Sequence, residues 1–262
     1  MINLIKADLY RLFRSKIYRN CIIASTIVSL IVIILSIATD AEIFIFSFTN
    51  PEGVTRGFKL GIKPGDDYIK FLVNALSAAA LIYIIGITLT SSSVVNKIKS
   101  GIYKNTVSYG YERYKIYISN LAAIIIGLSI IITASFLGIL LVTSVICKPI
   151  NFSYESILIT IKTLILYIII ISSMVSIYAF LATLIPNSEI ISIIAMVEII
   201  GITMIGMMLS DNLNKFIPYS MIIELGSNPQ SNNFLTYIIN GLIIITLSTL
   251  LGVAVFKRRE IK

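Results

Sequence analysis

The chain has 262 residues, of which 57% are apolar and only 13% charged, and its mean hydropathy is +0.94. Soluble globular domains carry about a quarter charged residues, so too little polar material is present here to cover a water-facing surface. The formal net charge of +8 does not point to nucleic acid, because the 21 Lys and Arg residues lie in short runs between apolar stretches and form no single basic face.

Residues 2–16 read as an amphipathic helix. Ile5, Leu9, Leu12 and Phe13 recur at i, i+4, i+7 and i+8, with Lys6, Arg11 and Arg14 elsewhere on the wheel. Such a helix would lie in the membrane interface with its basic side chains at anionic headgroups; the plainer alternative is a basic flank to the first span. Six apolar stretches follow, at about 18–39, 69–95, 117–146, 157–185, 189–210 and 235–256. Each is long enough to cross a hydrocarbon core of about 30 Å at about 1.5 Å per residue. The first could be mistaken for a signal peptide, since it ends Ser36-Ile37-Ala38, but it is longer than the usual apolar region of one. Pro186-Asn187-Ser188 separates the fourth and fifth stretches and predicts a tight turn, with Asn187 or Ser188 capping the next helix.

Basic residues orient these spans. Lys6, Arg11, Arg14, Lys16 and Arg19 precede the first. Lys97, Lys99, Lys104, Arg113 and Lys115 lie between the second and third, and Lys257, Arg258, Arg259 and Lys262 follow the sixth. Arg56, Lys59, Lys63, Lys70, Lys148 and Lys215 fall on the other side, among acids such as Glu52, Asp66 and Asp67. The positive-inside rule then makes both termini cytoplasmic. The expected fold is an all-α integral membrane protein in a single transmembrane domain, 1–262. Cys21 and Cys147 would sit at opposite ends of their spans, about 30 Å apart, too far for a disulfide.

Two absences restrict chemistry. The sequence has no histidine, which excludes proteolysis by Ser–His pairs or His-Glu-x-x-His zinc sites; no catalytic, cofactor or metal residues are expected. It also has no Gly-x-x-x-x-Gly-Lys-Ser/Thr loop, so any ATP used must be hydrolysed elsewhere.

The stretch 96–118 is longer than a passive hairpin needs and is not polar throughout. Ile98, Ile102 and Val107 alternate with lysines, Ile102, Thr106 and Tyr109 fit one helical face, and Gly110 reads as a C-terminal stop. A short helix with an apolar face outside the bilayer should dock onto something; an ordinary basic loop is the alternative. Residues 211–234, with Pro218, Glu224, Gly226 and Pro229 among apolar neighbours, form an outer segment. Its Tyr219–Leu225 run is apolar enough to enter the membrane and too short to cross it; an outer surface loop is the other reading. Inside the spans, Glu198 lies near the midplane and is a candidate path residue that favours a cationic substrate, against a purely hydrogen-bonded role at a helix interface. Asn74 is a weaker candidate, and with Lys162 and Ser91-Ser92-Ser93 it is expected near span ends or between helices.

The pattern Gly101-x-x-Lys104-Asn105-x-x-Ser108-x-Gly110-x-x-Arg113-x-x-Ile116-Tyr117-x-Ser119 resembles the loop after the second helix in permease subunits of type-two ABC exporters. The opening Lys6-Ala7-Asp8-Leu9-Tyr10-Arg11-Leu12 and the ending Phe256-Lys257-Arg258-Arg259-Glu260-Ile261-Lys262 resemble that family as well. The resemblance implies six transmembrane helices in the plasma membrane, with 2–16 an interfacial connecting helix, 96–112 a cytoplasmic coupling helix and 211–234 an outer re-entrant segment. Ile98, Ile102, Lys104, Asn105, Val107, Ser108, Gly110 and Arg113 would then contact a separate ABC ATPase subunit, which would bind ATP and Mg. A second permease subunit, identical or not, would complete the path. Family members often carry glutamate near position 97, where this chain has Lys97, so a salt bridge from that position to the ATPase is not implied. Antimicrobial peptides and lipophilic drugs are the expected cargo class. The reading from a different class is an ion- or proton-coupled secondary transporter, which would show broken helices at matching positions of two repeats.

Overall fold

The computed structural model describes residues 1–39, 43–49, 55–150, 153–205, 215–229 and 233–258. Ten helices and one hairpin occur among them: α1 (Ile2–Arg14), α2 (Lys16–Ala38), β1 (Ile43–Thr49), β2 (Thr55–Leu60), α3 (Tyr68–Leu76), α4 (Ala79–Lys99), α5 (Ile102–Ser108), α6 (Arg113–Cys147), α7 (Tyr154–Leu184), α8 (Ser188–Ile205), α9 (Pro218–Ser227) and α10 (Phe234–Arg258). Five segments are long and apolar enough to cross a membrane: α2, the α3–α4 run, α6, α7 and α10. The chain is thus largely helical and membrane-embedded. Glu52, Asp211, Arg259 and the rest of the carboxyl-terminal tail lie outside the described residues, as does the 206–210 end of the fifth predicted span.

Local chemistry sets the element boundaries. The backbone of Ser15 is extended and its hydroxyl accepts from the Tyr18 N–H at 3.1 Å, which ends α1 and starts α2. The Asn187 side chain accepts from the Glu189 N–H at 3.0 Å, the cap expected for the turn between α7 and α8. Cys21 and Cys147 are buried and free.

The elements differ from the sequence reading in four places. α1 buries Leu4, Asp8 and Leu12, while Phe13 is exposed and Ile5 and Leu9 are half-buried. The cause is α6, which presents Gly127: a Cβ there would come within 2.6 Å of the Leu12 side chain. Tyr18 closes the same contact by donating its hydroxyl to the Gly127 carbonyl at 3.0 Å. The second predicted span breaks at Ser77–Ala78 between α3 and α4, where the Ser77 hydroxyl donates to the Asn74 carbonyl at 2.6 Å. The 96–112 segment is not one helix. Its first residues complete α4, Gly101 turns the chain at φ +69°, and α5 runs only to Ser108 before Gly110 at φ +83°. Only glycine adopts such angles cheaply.

The fourth difference is the antiparallel β1–β2 hairpin, registered Ile43↔Leu60 and Thr49↔Thr55 with a bulge between Ile45 and Phe48. It lies on α9, where the Gly57 N–H donates to the Ser227 hydroxyl at 2.8 Å. Phe58 packs so closely on Gly226 that a Cβ there would meet its ring at 2.6 Å.

In the bundle, α10 packs along α7, and the Ser248 hydroxyl donates to Ser176 at 2.6 Å between them. At Gly252 the α10 backbone passes so near Tyr117 of α6 that a Cβ would collide with the phenol oxygen. Small residues at such crossings let helix backbones approach where lipid offers no hydrophobic drive. One end of the bundle gathers α1, α5, the start of α6 and the end of α10: Arg113 donates to the Lys257 carbonyl at 2.7 Å, and Tyr103 meets Phe256 edge-on at 5.0 Å. Three basic stretches of the sequence therefore share this end.

Candidate functional site

Two buried polar clusters organise the molecule, one at the basic end and one within the helices. At the basic end Asp8 of α1 faces Lys97 of α4, with 2.7 Å between Oδ1 and Nζ. The Ser119 hydroxyl of α6 donates to Asp8 Oδ2 at 2.7 Å. Lys97 also donates to the side-chain oxygen of Asn120, whose amide in turn donates to the Tyr103 phenol at 2.8 Å. One connected network thus ties α1, α4, α5 and α6 together. Burial first, and the Asp8 charge second, hold the Tyr103 phenol well above its usual range, so it is the protonated hydroxyl that accepts from Asn120.

This network fixes how α5 is presented. Tyr103 is buried, Ile98 and Val107 are half-buried against the core, and Lys104, Asn105 and Ser108 are exposed. A cleft of about 350 Å³ separates α1 from α5 and is lined by Asn3, Asp8, Arg11, Ile102, Thr106 and Tyr109. The predicted Ile102–Thr106–Tyr109 face therefore looks across this cleft toward α1, while Tyr109 itself is 82% exposed. Gly110 stops the helix, and Arg113 is engaged with α10.

The second cluster surrounds Glu198 of α8. Tyr83 of α4 donates to Oε1 at 3.3 Å, and Tyr178 of α7 donates to Oε2 through a short bond. Tyr219 of α9 packs on Tyr83 with ring centroids 5.2 Å apart and a tilt of 60°, and its buried hydroxyl has no hydrogen-bond partner among the described residues. Asn74, the other candidate path residue, stands apart from this group. Its Oδ1 accepts from Ser36 of α2 at 2.7 Å, and its amide nitrogen is buried without a partner among the described residues.

The sequence reading singled out Glu198 but not the three tyrosines, and it named Lys97 as a topology signal and a departure from a family pattern, not as a partner of Asp8. A signal for the Asp8–Lys97 pair did exist. Asp8 is the only acid in residues 1–39 and shares a helical stripe with Leu4 and Leu12. A lone charge on an apolar stripe calls for a partner. Neither a protein-family model nor a curated protein matches the chain.

Proposed function

We propose that the chain is the permease subunit of an ATP-driven exporter, coupled to a separate ATPase and completed by a second permease subunit. In this reading the basic end faces the cytoplasm and the chain spans the plasma membrane six times. The sixth span is α8, whose 18 described residues reach about 27 Å. The observation that carries the reading is the mounting of α5: two left-handed glycines isolate it, a buried ionic network holds it, and it turns Lys104, Asn105 and Ser108 outward. A passive loop has no need of such a mount. Force from a docked ATPase would pass through Tyr103 and Asn120 to α4 and α6, and through Asp8 to α1.

The test is co-purification of a tagged chain from its own membranes, with Lys104→Glu and Tyr109→Ala as variants. Both side chains are exposed, so both substitutions alter the docking surface and leave the core intact. Retention of an ATPase by the natural chain and its loss from the variants is the expected result. If no ATPase is retained under any mild detergent, the proposal fails.

A secondary transporter is the second reading, favoured by the break at Ser77–Ala78 and by an ionisable Glu198 among helices. It requires no ATPase, so the same experiment separates the two.

A further inference from the structure

We propose that Glu198, Tyr83, Tyr178 and Tyr219 form a recognition site for a lipophilic organic cation within the helical bundle. The proposal deepens the transport reading and rests on it for its biological use, although the binding itself requires no ATPase.

Two phenols donate to Glu198, one to each carboxylate oxygen, and this pattern suits an anion that accepts at both ends. These donors are neutral and cancel no charge. Among the described residues no Lys or Arg forms an ion pair with Glu198. A carboxylate has about four lone-pair sites, so about two remain open after the phenols are counted. An unpaired charge among apolar helices is costly, and a ligand of opposite sign offsets that cost.

The surroundings select the kind of cation. Tyr83, Tyr178 and Tyr219 are all buried, whereas Glu198 keeps part of its surface exposed beside the outward-facing Ile194 and Val197 of α8. A ligand can therefore approach the carboxylate from this exposed side, with the three buried phenols behind it. The Tyr219 hydroxyl has no partner among the described residues yet lies within electrostatic reach of Glu198, so a polar group of a ligand would give it one. Mg²⁺ or Ca²⁺ needs about six or more oxygen ligands, more than one carboxylate and three phenols supply. No group of three acids able to hold a metal occurs among the described residues. An ammonium or phosphonium carried on an apolar body fits both the charge and the apolar approach.

The probe is tetraphenylphosphonium, measured by equilibrium dialysis against the purified full-length chain, with triphenylphosphine oxide as a neutral competitor. The natural chain should bind the cation saturably, and the neutral analogue should not compete. Glu198→Gln should weaken binding by at least about tenfold, the equivalent of about 1.4 kcal/mol, and Tyr178→Phe by less. Absence of saturable binding by the natural chain overturns the proposal, as does undiminished binding by Glu198→Gln, which leaves Glu198 a helix contact. Should that variant not fold, the natural chain still decides: dicyclohexylcarbodiimide labelling of Glu198, mapped by mass spectrometry, must slow when the cation is present, and an unchanged rate refutes the site. Binding without a retained ATPase would sink the exporter reading alone, and a retained ATPase without binding would sink this site alone.

Discussion

The two clusters hold their charges in opposite ways. At the basic end Asp8 meets Lys97 directly, and Ser119, Asn120 and Tyr103 satisfy what the ion pair leaves over. Around Glu198 every donor among the described residues is neutral, and one phenol hydroxyl has no partner among them. Both clusters cost desolvation free energy, and among the described residues only the first sets a counter-charge against it. The lesson is that burial does not separate a structural charge from a functional one. What separates them is whether the fold supplies the counter-charge: a complete network resists change, whereas an incomplete one leaves chemistry for a ligand.

The largest test of this contrast breaks the complete network. Lys97→Met leaves Asp8 buried without a counter-charge and should cost about 3–5 kcal/mol, read as a large drop in the denaturation temperature of the purified chain. Adding Asp8→Leu removes the orphaned charge and should restore most of the loss. If the double variant is as unstable as Lys97→Met, the pair is not the element that holds α1 to the bundle. Tyr103→Phe removes only the acceptor of the Asn120 amide, so about 1 kcal/mol should go, together with ATPase retention if α5 is the docking element.

Glu198→Gln should behave differently from Lys97→Met. An amide keeps an oxygen to accept from one phenol, and no counter-charge is stranded. The stability change should therefore stay within about 1 kcal/mol. A loss as large as that of Lys97→Met would reverse the comparison and make Glu198 the structural charge.

These clusters also mark where sequence reasoning stops. Spans were legible because an apolar run of about 20 residues is a strong signal, and the stop at Gly110 was legible because left-handed turns favour glycine; the start of α5 at Gly101 was not, since 96–112 reads as one segment. The β1–β2 hairpin was overlooked although its cue is present: β-branched and aromatic runs at 43–49 and 54–60 flank Asn50-Pro51-Glu52-Gly53. Its apolar strand residues read equally well as the margins of neighbouring spans. The break at Ser77–Ala78 carries no proline or glycine, and it follows from packing and from the Ser77–Asn74 hydrogen bond. Tyr83 and Tyr178 are 95 residues apart in the chain, and nothing local to either one predicts a shared carboxylate.

The smallest effect belongs to a charge that water already solvates, and it gives the baseline for the other two. Asp66 lies before α3, outside the spans, where it accepts from the Lys63 N–H at 2.9 Å and pairs with Lys70 at 3.2 Å. Partial burial raises its carboxyl pKa, but the Lys63 N–H and the two lysine charges outweigh that and hold it below the usual carboxylate range. A carboxyl with a lower value in the fold than in the unfolded chain stabilises the fold at pH above the unfolded value, about 3.9. That stability is lost as the pH falls through the folded value. With the Lys70 side chain half-exposed, water and salt screen the pair, so only about 0.3–0.5 kcal/mol is at stake. Asp66→Asn should lower stability by that amount at pH 7 and by nothing once the pH has fallen below the folded value, measured as denaturation temperature against pH. A loss at neutral pH comparable to that of Lys97→Met would mean that exposure does not rank the charges of this protein, and the contrast between paired and unpaired burial would lose its footing.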